Sequence, residues 1–82
     1  MTRDFKLNQE WTEIAEGPTT ESLFIEAALR DVIFRIDSDL PDSSFGHRLD
    51  SDNRGQNLTL NTNDKLYAKA VESSAQIVLT GE

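Results

Sequence analysis

The chain of 82 residues contains no cysteine, which excludes a disulfide framework and a metal cluster held by thiolates. It has four glycines, and none of them is spaced as in a phosphate-cradling G-x-G-x-x-G loop. No apolar run approaches the roughly 18 residues of a membrane span, and the start MTRDFKLNQEW lacks the apolar block of a signal peptide. We therefore expect a soluble protein that is made in a reducing cytoplasm and binds no membrane.

Positive charge is also scarce. The chain has eight basic and 15 acidic residues, so its net charge is −7, and the basic residues are scattered along the sequence. A protein that binds phosphate backbones normally gathers lysine and arginine into a patch, so we expect no nucleic-acid partner. Hydrophobic residues make up only 37% of the sequence, and a chain of this length forms a thin core. Contact with a partner surface is the expected supplement.

Short runs of alternating apolar and polar residues, separated by turn residues, make up most of the chain. In DVIFRID the residues Val32, Phe34 and Ile36 share one face, and KLYAKAV, NLTLN and AQIVLT alternate in the same way. This rhythm predicts an all-β fold, a small antiparallel β-sandwich or barrel of about six to seven short strands. Residues 11–82 are predicted to form this single β-domain.

The first ten residues are polar apart from Phe5 and Leu7, a spacing that favours an extended N-terminal arm over residues 1–10. Nothing close in sequence covers these two side chains, so we expect a partner to bury them. An arm of this kind predicts that serine at both positions leaves the β-domain folded and weakens only assembly.

Residues 20–36 fit two patterns. Apolar residues from Ile25 to Ile36 follow the stripe of an amphipathic helix, and Thr20 could cap it. Against the helix, VIFRI is a β-branched and aromatic run, and Phe24 and Phe34 lie off the stripe. The favoured interpretation is a hairpin that pairs SLFIEA with DVIFRI across a tight connection at residues 28–30.

From Asp31 onward, DVIFRI, Leu40-Pro41, the segment FGHRL, LTLN, DKLYAKA and a final AQIVLT follow one another in an order that resembles small all-β virion proteins of tailed bacteriophages. The resemblance covers roughly the last fifty residues. It implies a repeated building block of a capsid, tail or fibre, located in the virion and made in the host cytoplasm, with a closing hairpin near the end of the chain. It implies no catalytic residue.

The stretch DSDNRGQNLTLN begins like a calcium-binding loop, with Asp50, Asp52 and Gly55 at the expected positions. Arg54 occupies the fifth position, which should hold an oxygen ligand. Asn61 occupies the twelfth position, which should hold a bidentate glutamate. We therefore interpret the stretch as a bend with Gly55 at positive φ. The single histidine, His47, has no cysteine or second histidine with which to form a zinc site. We predict no catalytic, cofactor-binding or metal-binding residue, and no enzymatic activity.

Four apolar or aromatic residues are predicted to contact partners: Phe5, Leu7, Trp11 and Tyr67. The function predicted from the sequence is that of a non-enzymatic virion component, which associates with itself as a homo-oligomer or docks on a capsid or tail protein. The alternative is an acidic inhibitor that mimics nucleic acid and blocks a basic groove of a host protein.

Overall fold

The computed structural model describes residues 1–81 and is all-β, with no helix in that range and hence none able to cross a membrane. Its eight strands are β1 (Thr2–Leu7), β2 (Thr12–Glu16), β3 (Leu23–Leu29), β4 (Val32–Asp37), β5 (His47–Leu49), β6 (Gly55–Leu58), β7 (Lys65–Ala70) and β8 (Ala75–Thr80). They form two antiparallel sheets of four strands. Sheet A has the order β1-β8-β3-β6, and sheet B has the order β2-β7-β4-β5.

The strand pairing is nested. β4 pairs with β5, β3 with β6, β2 with β7 and β1 with β8, as in one long hairpin. Rolling up this hairpin brings β3 beside β8 and β4 beside β7, which completes the two sheets. Eight strands connected in this way form a jelly roll. The prediction of an all-β sandwich is confirmed, with eight strands in place of six or seven.

The core lies between the sheets and consists of alternate residues from both. Leu66, Ala68 and Ala70 of β7 are buried, as are Ile77 and Leu79 of β8. The sequence alternation predicted these inward faces. Burial of apolar area stabilises the fold at about 25 cal/mol per Å² removed from water.

The segment predicted as an arm is an edge strand of sheet A. All six residues of β1 pair with β8, from Thr2 opposite Thr80 to Leu7 opposite Ala75. Leu7 is 3% exposed and belongs to the core, and Phe5 packs against it. The segment is extended as predicted, but it is part of the sandwich and its Leu7 needs no partner to cover it.

Residues 20–36 form two strands, but the predicted hairpin is wrong. β3 lies in sheet A and β4 lies in sheet B, so the two strands pair with other strands and not with each other. The tight connection at Arg30, with φ 63°, carries the chain across the core from one sheet to the other. The side chains of Ile25 on β3 and Val32 on β4 then point into the core from opposite sheets. Alternation alone does not distinguish this arrangement from a hairpin. The closing strands β7 and β8 likewise lie in different sheets.

Candidate functional site

The outer face of sheet B carries a buried aromatic residue. Tyr67 is 4% exposed although its neighbours Leu66 and Ala68 point into the core, so its side chain lies on the opposite face. Its cross-strand neighbours are Glu13 on β2 and Arg35 on β4. A buried residue on an outer face requires a cover, and the long β4–β5 loop, residues 38–46, is anchored to this side of the sheet.

Two hydrogen bonds anchor that loop. The indole Nε1 of Trp11 donates to the carbonyl oxygen of Ser43 at 2.8 Å. The guanidinium Nη1 of Arg35 donates to the carbonyl oxygen of Phe45 at 3.0 Å, while its Nε lies 2.9 Å from Oδ2 of Asp37. Arg35 on β4 and Trp11, which directly precedes β2, therefore both connect sheet B to the loop backbone.

The anchors are themselves held in place. Lys69, on the central strand β7, places its Nζ 4.8 Å from the centroid of the Trp11 ring, within the range of a cation–π interaction. Within the loop, the backbone N–H of Phe45 donates to Oγ of Ser43 at 3.1 Å. The loop backbone is thus held by contacts within the chain itself.

The anchored loop presents apolar side chains to solvent. Phe45 is 80% exposed and Leu40 is 66% exposed. Leu40 and Pro41 line a shallow depression together with the half-buried Trp11, and Phe45 lines a second depression beside the strand β4. We call Trp11, Leu40, Pro41 and Phe45 the loop patch.

The charges around the loop patch are mostly acidic. Asp37, Asp39 and Asp42 lie in or beside the same loop and line a depression with Arg35, whose charge is paired with Asp37. An apolar patch with an acidic rim favours a partner with an apolar surface surrounded by lysine or arginine.

The stretch that begins like a calcium loop is a turn between β5 and β6. Oδ1 of Asp50 accepts hydrogen bonds from the backbone N–H groups of Asp52 at 2.9 Å and Asn53 at 3.1 Å. The carboxylate is therefore engaged by the loop's own backbone. Gly55 starts β6 and is not among the residues with positive φ, so that detail of the prediction is wrong. Within residues 1–81 no three histidine, cysteine or acidic residues are grouped as metal ligands.

A second polar region lies at the end of the sandwich near the β3–β4 connection. Nη2 of Arg48 is 2.7 Å from Oδ2 of Asp31, and its Nε is 4.0 Å from Asp50. The hydrogen bond to Asp31, reinforced by the charge of Asp31, raises the pKa of Arg48. The Arg48 guanidinium is exposed and its charge is already compensated by Asp31. We therefore interpret the pair as a link between β5 and the β3–β4 connection.

The four residues predicted to contact partners do not lie together. Trp11 is in the loop patch, and Tyr67 is buried on the same side of sheet B. Phe5 is half-buried on the edge strand of sheet A, and Leu7 is in the core. Burial leaves Leu7 and Tyr67 without surface to offer a partner, whereas Phe5 and Trp11 retain some.

Sequence reasoning missed Leu40 and Phe45, the most exposed members of the loop patch. They stand in SDLPDSSFG, a segment that alternation identifies only as a loop. The available signal was the presence of two large apolar side chains among turn residues, where solvation favours polar ones.

Comparison of the chain with family models, curated proteins and solved structures finds no match.

Proposed function

We propose that the protein is a non-enzymatic structural component of a bacteriophage virion, which associates with itself and docks on a capsid or tail protein through the loop patch. The resemblance of the segments from Asp31 onward to phage virion proteins supplies the biological setting. Jelly rolls occur in viral capsid domains, but they also occur in lectins and cupins. The fold alone therefore decides nothing, and the surface has to carry the argument.

The observation that carries the proposal is the exposure of Phe45 and Leu40 on a loop with an anchored backbone. Large apolar side chains that remain at the surface on an ordered segment are typical of binding sites. Because Trp11 and Arg35 fix the loop backbone, a partner does not have to order it on binding, which lowers the entropy cost of association. Aromatic anchors of this kind dominate interface energetics.

The acidic inhibitor is the weaker candidate. Several carboxylates that would have to imitate phosphates are paired with cations: Asp37 with Arg35, Asp31 with Arg48, and Glu13 with Lys65. These pairs interrupt the negative surface. An inhibitor of this class would also have no use for exposed Phe45 and Leu40.

The test is cosedimentation of the purified protein with virions of the phage that encodes it. The double variant Leu40→Ser with Phe45→Ser should lose most of its binding, because truncating one anchor residue typically costs more than about 1 kcal/mol, or roughly fivefold in affinity. Leu29→Ser is the matched control, since Leu29 is 44% exposed at the end of β3 in the other sheet. It should bind like the parent.

The single tryptophan, Trp11, gives a second readout because it lies inside the loop patch. Docking should shift its fluorescence to shorter wavelength as water is excluded from the ring. Equal virion binding by the parent and the double variant would overturn the assignment of the docking surface. Failure of the parent to bind any virion component would overturn the proposed function.

A further inference from the structure

The strand β1 has an unpaired edge. It is the terminal strand of sheet A, and no strand in residues 1–81 lies on its far side. Its six residues contain no proline, and its pairing with β8 shows no register shift. The other edge strands are shorter: β2 has five residues and a register shift, β6 has four and β5 has three. A regular open edge of this length is a template for another strand.

The backbone groups on this edge can be assigned. The N–H of Gly81 donates to the carbonyl oxygen of Met1 at 2.8 Å, so the backbone of Met1 points toward β8. In an antiparallel pair this direction alternates from residue to residue. The backbone groups of Arg3, Phe5 and Leu7 therefore also point toward β8, whereas those of Thr2, Asp4 and Lys6 point to the free side.

The side chains divide between the two faces of the sheet. Leu7 is in the core and Phe5 packs against it, and Arg3 places its guanidinium carbon 5.8 Å from the centroid of the Phe5 ring. The side chains of Asp4 and Lys6 are exposed on the opposite, outer face. A strand added to this edge would thus meet an aromatic ring on one face and a carboxylate and an ammonium group on the other.

A second copy of β1 fits this edge in one register. In an antiparallel pair of identical strands, hydrogen bonds require that residues with outward backbone groups face each other, so the two-fold axis can pass through any residue from Thr2 to Lys6. An axis through Thr2 leaves a single hydrogen-bonded pair within β1, and an axis through Lys6 sets two ammonium groups opposite each other. An axis through Arg3 or Asp4 sets like charges directly opposite each other, which is destabilising. An axis through Phe5 sets each Asp4 opposite a Lys6.

The register centred on Phe5 is also favourable on the inner face. There the two Phe5 residues form a pair without mutual backbone hydrogen bonds, the kind in which side chains approach most closely. Aromatic cross-strand pairs and opposite charges are both stabilising in sheets. The four backbone hydrogen bonds of this register join Asp4 and Lys6 of one copy to Lys6 and Asp4 of the other.

We infer that β1 is a self-pairing edge through which two copies of this chain form a two-fold symmetric dimer with one continuous eight-stranded sheet. Phe5 lies on the two-fold axis, and two reciprocal pairs of Asp4 and Lys6 select the register. The inference deepens the self-association in the proposed function, on which it rests, and assigns it to a surface separate from the loop patch.

Charge reversal tests the register directly, with sedimentation equilibrium as the measurement. Asp4→Lys and Lys6→Asp should each weaken dimerisation about tenfold, because each turns two attractive cross-strand pairs into repulsive ones. The double variant Asp4→Lys with Lys6→Asp should restore the parent's affinity, since opposite charges again face each other. Both positions are exposed, so circular dichroism of all variants should match that of the parent, and thermal unfolding should match at protein concentrations low enough for the parent to be monomeric.

Mixing the two single variants gives an independent result. One then carries two cationic residues at positions 4 and 6 and the other two anionic residues, so they should form a heterodimer more readily than either forms a homodimer. A parent that is monomeric at all concentrations, or a double variant that stays as weak as the single ones, would overturn the inference. A strand of another virion protein on this edge would appear as virion binding that is sensitive to Asp4→Lys while the free protein stays monomeric, and it would also overturn self-pairing.

The same variants separate this inference from the proposed function. Dimerisation that is sensitive to charge at positions 4 and 6, in a protein that binds no virion, would support the β1 interface and contradict the virion role. A monomeric protein whose virion binding depends on Phe45 but not on Asp4 or Lys6 would support the virion role and contradict the β1 interface.

Discussion

Gly46 lies so close to Phe34 that no side chain fits between them. A Cβ atom at position 46 would come within 2.7 Å of the backbone oxygen of Phe34 and 2.5 Å of Cγ2 of Ile33. The end of the β4–β5 loop is therefore pressed directly onto β4. This contact also positions Phe45, the residue before Gly46 in the loop that leads into β5.

Gly46→Ala should destabilise the protein by about 1 to 3 kcal/mol, because the backbone of β4 has no room to move away from the added methyl group. Urea denaturation followed by circular dichroism measures the loss. Ser44→Ala, an exposed position in the same loop, is the control and should stay within about 0.5 kcal/mol of the parent. Equal stability of the two variants would contradict the close contact.

Leu7→Ser should unfold or severely weaken the domain. Removing a buried leucine side chain costs about 2 to 5 kcal/mol, a large part of the stability of a small domain. Thr2→Ser, an exposed position in the same strand, should have little effect on thermal unfolding. A Leu7→Ser variant that melts like the parent would restore the interpretation of residues 1–10 as an arm separate from the core.

Asp50→Ala should destabilise the β5–β6 turn by about 1 kcal/mol, because two backbone N–H groups lose their acceptor. Asp50→Asn retains an oxygen at the same position and should recover most of the loss. Calcium at millimolar concentration should leave the melting temperature of the parent unchanged. An increase of several degrees that Asp50→Ala abolishes would show that the turn binds the ion.

The sequence predicts the strands well and their partners poorly. Alternation places Val32 and Phe34 on one face and Leu66 and Ala68 on another, and all four are buried. The period of two says which face of a strand is buried but not which sheet the strand joins. The same pattern therefore suits a hairpin of β3 with β4 and the observed crossing between sheets.

The edge strand and the loop patch escape sequence reasoning for a different reason. β1 has one neighbour and one solvated face, so charged residues such as Asp4 and Lys6 are compatible with pairing and make the strand resemble a free arm. Phe45 belongs to a loop whose position depends on single contacts with Trp11 and Arg35. Such contacts join residues that are distant in sequence, and the periodicity of the sequence does not predict them.

The nested pairing has a consequence for the order of folding. Only β4 and β5 are joined by a connection that leads directly to the paired strand, whereas β1 and β8 meet only after almost the whole chain has been folded back on itself. Closing successively longer loops before their contacts form makes folding slow, on the order of milliseconds to seconds for such β-topologies. We expect the β4–β5 pair to form first, with Gly46 at its base, and β1 to join the sheet last. Substitutions near Gly46 should then slow folding, whereas those in β1 should chiefly accelerate unfolding.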